Sequence, residues 1–372
     1  MSYFFDQYYK CGDRKFLNIF QAFRYQKQTG HFPEFRIDKE LINKMVNHEK
    51  PKDTSGLRIQ QLLINRLKKI RKQYDKVKLL YSGGTDSYTI LKLCMDNDIF
   101  IDETITHMVS IENNVRTNLE YLAGIKLLQK HVGTKVGKST VIHPTLKDLD
   151  FVNDPDWFYN EKIVVGPTLI FRTMSMRKMT EQALHNEKNT VVLSGYEKPV
   201  FSVEDNKIYW GLYDDSVGEM MGSPNNIPLF LDKDNPELVV SMAYAALDQI
   251  RKFNIQPRGK QLKFTTRDPN VRKHYLKGIG LHPTPYNFIN MHLLGKVDYN
   301  DNRKTARFFE ELKKHGRADY IEKMYDTHKR VKELYGGLPY ALESKGNLVK
   351  SVLRQCQRIE ILPNSFGQQV KT

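Results

Sequence analysis

Apolar positions change their period near residue 76. Before it, Phe16, Ile19, Phe20 and Phe23 recur at the three- and four-residue spacing of a helix face, and Leu57 to Tyr74 predicts an amphipathic basic helix. Residues 1–75 therefore read as helical, with His31-Phe32-Pro33-Glu34 separating two parts. After residue 76, strand and helix patterns alternate. Val77 to Tyr81 predicts a strand and Tyr88 to Asp96 a helix. Thr104 to Ile111 predicts a second strand. Val115 to His131 predicts a helix with Leu119, Leu122, Ile125 and Leu128 on one face. A third strand is expected over Ser139 to His143, a helix over Gly166 to Leu184, and a fourth strand over Thr190 to Leu193. Such alternation predicts an α/β fold: a parallel sheet with helices on both faces and helical N- and C-terminal additions.

The pattern changes again after residue 199. Val200 to Val203 and Lys207 to Tyr213 flank Glu204-Asp205-Asn206, which is turn chemistry, so a β-hairpin is expected. This hairpin is a candidate lid or substrate-recognition element. Further on, helices are expected over Pro236 to Phe253, Asn270 to Leu276, Arg303 to His315 and Arg317 to Leu334. The chain divides by pattern into a basic helical region (1–75), a central domain (76–230) and a second basic helical region (231–372).

The first predicted strand runs into Ser82-Gly83-Gly84-Thr85-Asp86-Ser87, followed at once by the first predicted helix. Gly83 and Gly84 let the backbone turn sharply and approach an anion without side-chain clash. Successive N–H groups then face one concavity at the positive end of a helix dipole. Ser82 and Ser87 add hydroxyl donors. Asp86 repels a bare phosphate, so its presence implies a divalent cation between carboxylate and phosphates, most simply Mg²⁺. No G-x-x-x-x-G-K-[ST] stands here, which disfavours kinase or GTPase chemistry.

Ser-Gly-Gly-Thr-Asp-Ser after a strand resembles the PP-loop of the N-type ATP pyrophosphatases, and the chain resembles most the synthetase domain of asparagine synthetases. The resemblance implies an adenine nucleotide alpha-hydrolase-like, Rossmann-like fold. It implies ATP cleavage between the α and β phosphates, with residues 82–87 holding the phosphates. By position, Ser110 and Ile111 at the end of the second strand are candidates for the adenine or ribose. Leu193-Ser194-Gly195 matches the second family motif, making Ser194 and Gly195 candidate nucleotide-binding residues. The family then has an Asp-Glu pair, where this chain has Tyr196-Glu197-Lys198-Pro199. Glu197 stands as a candidate metal ligand with Asp86, and Lys198 as a candidate catalytic cation with Asp86. Glutamine-dependent relatives carry a cysteine after the initiator methionine. Ser2 stands there, and no glutaminase domain is expected before residue 76.

Composition bounds this reading. The net charge is +15, distributed as +8 over residues 1–75, −4 over 76–230 and +11 over 231–372. The basic flanks are therefore a candidate nucleic-acid surface, densest from Arg251 to Lys273. Cys11, Cys94 and Cys356 are far apart, which argues for a reducing cytoplasm and against structural zinc. No apolar run is long enough to span a bilayer, so no membrane role is expected. The expectation is a cytoplasmic enzyme using ATP and Mg²⁺ on a small-molecule acceptor, with a homo-oligomer left open. Two alternatives stand: a PP-loop enzyme modifying a base in tRNA or DNA, and a non-catalytic nucleotide-binding protein.

Overall fold

The first described residues form a small sheet where the sequence predicts helix. Strand β1 (Tyr8–Cys11) and strand β2 (Arg14–Phe16) pair antiparallel across Gly12-Asp13, and β3 (Glu34–Arg36) pairs on the other side of β1. Gly12 makes that turn at φ +59°, a region a side chain disfavours. Strands of three or four residues offer too few alternating positions to reveal a period of two. Helix α1 (Ile19–Thr29), between β2 and β3, follows the predicted helical spacing. The structure is a computed structural model. It describes residues 8–16, 19–36, 43–44, 47–49, 51–53, 56–108, 119–143, 145–159, 189–195, 200–204, 207–213, 226–230, 232, 234–242, 244, 302–335 and 356–362.

Helix α2 (Gly56–Gln73) buries Ile59, Leu62, Leu63, Ile64, Leu67 and Ile70 along one stripe. These side chains share one core with Val77, Leu79, Val191 and Leu193 of the central strands. Each such burial contributes about 1.5–3 kcal/mol, so α2 is strongly held. The core thus runs across the compositional boundary at residue 75. Arg66 lies inside the same interface. Its Nη1 donates to the Leu229 carbonyl at 2.5 Å, and its Nε lies 3.5 Å from Asp232. Burial lowers the Arg66 pKa to about 10, against the pull of Asp232 and Asp234.

The central sheet has five strands, all parallel. They are β4 (Lys76–Leu80), β5 (Ile101–His107), β6 (Val136–Ile142), β7 (Thr190–Ser194) and β10 (Asn226–Pro228). The order across the sheet is β10-β7-β4-β5-β6. Helix α3 (Thr85–Asp96) joins β4 to β5, and α4 (Leu119–His131) precedes β6. The predicted strands are present with shifted ends. Helix α3 starts three residues before the expected Tyr88, because Thr85, Asp86 and Ser87 read as loop chemistry yet are favoured in a first helical turn. Strand β10 was not expected: three residues ending in proline read as loop. The predicted helix over residues 166–184 lies outside the described residues.

The chain lays β4, β5 and β6 side by side, then returns to place β7 on the opposite edge of β4. Strand order therefore reverses between β4 and β7. In an open α/β sheet, the crevice at such a switch point, outside the carboxyl ends of the strands, is where ligands bind. One sheet face joins the main core with α2, α3 and α4. The other carries a four-residue cluster of Leu80, Ile105, Ile142 and Val192, to which no described helix contributes.

The expected hairpin is present as β8 (Val200–Glu204) and β9 (Lys207–Tyr213), with Glu204 opposite Lys207. It is not a free two-stranded arm. A third strand, β11 (Cys356–Leu362), pairs antiparallel with β9 inside the C-terminal region that the sequence predicts as helical. Two of the expected C-terminal helices are α5 (Asn302–Lys314) and α6 (Ala318–Tyr335). The basic stretch over residues 251–273 lies outside the described residues.

Candidate functional site

The carboxyl end of β4 is fixed before the glycine loop begins. The Tyr81 N–H donates to Ile105 O at 2.8 Å, and Thr106 Oγ1 donates to Tyr81 O at 2.7 Å. The chain then turns at Gly83, whose φ of +76° explains why glycine stands there. Gly84 needs no such freedom. It is an extended residue at φ −68°, and it caps α3 with no side-chain hydrogen bond. Gly84 brings no side chain to cap the first turn of α3, and an uncapped helix start is a setting that binds anions.

The two serines build this loop. Ser87 is buried, and its hydroxyl accepts from the Ser82 N–H at 3.2 Å and donates to Gly84 O at 3.2 Å. With its single proton so placed, Ser82 Oγ is the donor in the 3.2 Å contact between the two hydroxyls. Ser82 Oγ in turn accepts from the Gly84 N–H at 3.2 Å. The Ser82 residue is exposed at the mouth of the loop. Both serines were expected as phosphate donors; the geometry gives Ser87 to the loop itself and leaves Ser82 facing outward.

Strand β7 brings the second expected motif to the same place. A Cβ on Gly195 would lie 2.8 Å from Asp86 Cβ, 3.3 Å from the Asp86 carbonyl carbon and 3.3 Å from the Ser87 nitrogen. Gly195 therefore lies against the start of α3. Ser194, fully buried at the end of β7, has an Oγ that makes no hydrogen bond to any described residue. A buried hydroxyl without a partner is costly unless something else satisfies it. Asp86 has its Oδ1 out of solvent beside this junction. Ser82, Gly83, Gly84, Asp86, Ser87, Ser194 and Gly195 are thus gathered at one crevice between β4 and β7. Thr85 is in the first turn of α3. Ser110, Ile111, Glu197 and Lys198 lie outside the described residues.

Two contributors were not anticipated. Helix α4 carries Gly124 in its interior, and a Cβ there would lie 2.6 Å from Tyr81 Oη and 2.7 Å from Gly83 Cα. Tyr81 is fully buried and its hydroxyl donates to Gly124 O at 2.8 Å; burial pushes its pKa well above the usual tyrosine range. The available signal was the glycine itself, since an isolated glycine inside an apolar helical pattern calls for a packing reason.

Among the described residues, no group of three or more His, Cys, Asp and Glu could hold a metal on its own. One carboxylate is nevertheless the donor set expected where Mg²⁺ is shared with substrate phosphates. Cys94, on α3, is fully buried, and burial raises its thiol pKa strongly, as suits a packing residue and not a nucleophile. No helix among the described residues is long and apolar enough to cross a membrane. The fold is α/β, with a five-stranded parallel sheet whose strand order reverses between β4 and β7. Comparison with protein-family models and with curated protein sequences gives no match.

Proposed function

We propose that the chain is an ATP-dependent adenylating enzyme of the N-type ATP pyrophosphatase kind. It cleaves ATP to AMP and pyrophosphate and activates a carboxylate or carbonyl oxygen for attack by ammonia or an amine. One observation carries this reading. Gly195, far along the chain from the loop over residues 82–87, packs against Asp86 and Ser87 at the switch point between β4 and β7, and the buried hydroxyl of the adjacent Ser194 has no hydrogen-bond partner among the described residues. The strand order, counted along the chain as 3-2-1-4-5, is the order of nucleotide-binding doubly wound sheets.

The start of α3 holds the β and γ phosphates, with Ser82 and Ser87 shaping the loop through their mutual hydrogen bonds, and Ser194 Oγ donates to a phosphate oxygen that satisfies it. Asp86 would hold Mg²⁺, which when bound neutralises charge on the departing pyrophosphate. The acceptor oxygen attacks the α phosphorus and the bond to the β-phosphate oxygen breaks. Ammonia or an amine then attacks the activated carbon, and AMP leaves. Rate enhancement rests on positioning and charge stabilisation rather than on a side-chain nucleophile. The test is pyrophosphate release from ATP with candidate acids and amines. Asp86→Ala is expected to lower that release by at least about 100-fold; unchanged turnover would overturn the assignment.

A second reading keeps this chemistry and makes the acceptor a nucleic-acid base. It is favoured by the convergence of both basic flanks on one segment, residues 146–159. From the N-terminal flank, Gln21 Nε2 donates to Tyr159 O at 2.7 Å, and exposed Arg24 lies over the Tyr159 ring. From the C-terminal flank, Tyr320 Oη donates to Asp150 at 2.6 Å, and Arg330 donates to Pro155 O at 3.0 Å.

A further inference from the structure

Helix α4 pays a conformational penalty at Gly124: an interior glycine is less favourable than alanine by about 1 kcal/mol. The close approach it permits is not to a neighbouring helix but to the phosphate loop. The position a Cβ would take lies 2.7 Å from Gly83 Cα and 3.1 Å from Gly83 O, the residue whose positive φ makes the turn. At the same place the Tyr81 hydroxyl reaches across to Gly124 O. On the other side, Gly195 of the β7 end closes on Asp86 and the Ser87 nitrogen. The loop is therefore gripped from two sides, by glycines on two different elements. Tyr81 itself is fixed by Ile105 and Thr106, so the grip is anchored in β5.

We infer that Tyr81 and Gly124 are positioning residues that hold the 82–87 loop in its anion-binding shape before any ligand arrives. The inference rests on the loop being the polyphosphate site of the proposed function. Cradle N–H groups bind an anion well only if they already converge; a loop free to relax must be reordered by the ligand, and affinity falls by that amount. The effect is confined to the part of the nucleotide that the loop holds. Weakening the grip lowers affinity for pyrophosphate and for the β and γ phosphates of ATP, and spares AMP, which has neither.

The experiment is titration calorimetry of the full chain with Mg²⁺ present, using pyrophosphate, ATP and AMP as separate ligands. The proteins are wild type, Tyr81→Phe and Gly124→Ala. Tyr81→Phe removes one oxygen and keeps the ring, so it preserves the packing if Gly124→Ala fails to fold. Tyr81→Phe is expected to weaken pyrophosphate and ATP by about fivefold, the loss of one buried hydrogen bond, with AMP affinity unchanged. Folded Gly124→Ala is expected to lose more, in the same pattern. Equal weakening of all three ligands, or unchanged pyrophosphate affinity in Tyr81→Phe, overturns the positioning role while leaving the polyphosphate site intact. If wild type binds neither pyrophosphate nor ATP, the site assignment itself falls, and the positioning role with it.

Discussion

Gly195 shows how little room the loop leaves around it. An added methyl would meet Asp86 Cβ at 2.8 Å and backbone atoms of Asp86 and Ser87 at 3.3 Å, none of which is the movable end of a long side chain. Gly195→Ala should force the end of β7 away from α3, costing about 1–3 kcal/mol and weakening nucleotide binding. The urea midpoint and an ATP titration would check both parts; a variant unaltered in each would mean the two motifs do not press together. At this scale the sequence was informative where residue types were unusual together. Two glycines, two serines and an aspartate in six positions announced the tight strand-to-helix turn, which Gly83 makes at φ +76°. It did not announce that Ser87 closes the loop internally, because a serine offers the same hydroxyl to backbone and to ligand. Nor did it announce Gly124, whose partner Gly83 is 41 residues away in sequence and visible only once α4 is folded.

Among the elements, the three strands β4, β5 and β6 share a charge arrangement that the apolar pattern conceals. Lys78, Glu103 and Lys138 stand opposite one another in the register. Buried Lys78 lies 3.2 Å from Glu103, Lys138 lies 3.4 Å from it, and Thr140 Oγ1 donates to it at 2.5 Å. Burial pushes the Glu103 carboxyl up, but the Thr140 hydroxyl and the two lysines outweigh it and hold its pKa below the ordinary 4.5. A folded value below the unfolded one means the native state holds the proton less tightly. The stabilisation is therefore complete above about pH 4.5 and is lost as the pH falls through the depressed native value. Thermal midpoints followed from neutral pH into acid should fall with a component that Glu103→Gln removes. Parallel slopes in the two proteins would show that the carboxylate contributes nothing to the pH dependence. Elements with long periodic patterns, such as α2, β4 and α4, were legible from the sequence. The small sheet β1–β3, β10 and β11 were not: the first two rest on strands of three or four residues, and β11 is a strand only because β9 offers it an edge.

For the molecule as a whole, charge and core divide the chain differently. The composition changes sign near residue 75, yet α2 belongs to the same core as the central sheet, and Arg66 ties it to Leu229. The basic helix α2 is therefore built into the body that carries the glycine loop. Whether they serve a nucleic-acid acceptor is a question of ionic strength. An RNA such as bulk tRNA should bind at low salt, with log affinity falling linearly against log salt. Arg24→Ala should reduce that slope by about one, the signature of one lost phosphate contact. No binding at low salt would overturn the nucleic-acid reading.

The reversal of strand order between β4 and β7 also governs how the protein emerges from the ribosome. Strand β4 can pair with β5 early, but its other edge stays open until Thr190–Ser194 has been translated. Throughout that interval a central, apolar edge is exposed to other chains. The nascent protein is thus most prone to aggregate after β6 and before β7. No ligand of the β4–β7 junction could protect it at this stage, since Ser194 and Gly195 have yet to arrive and the junction does not exist.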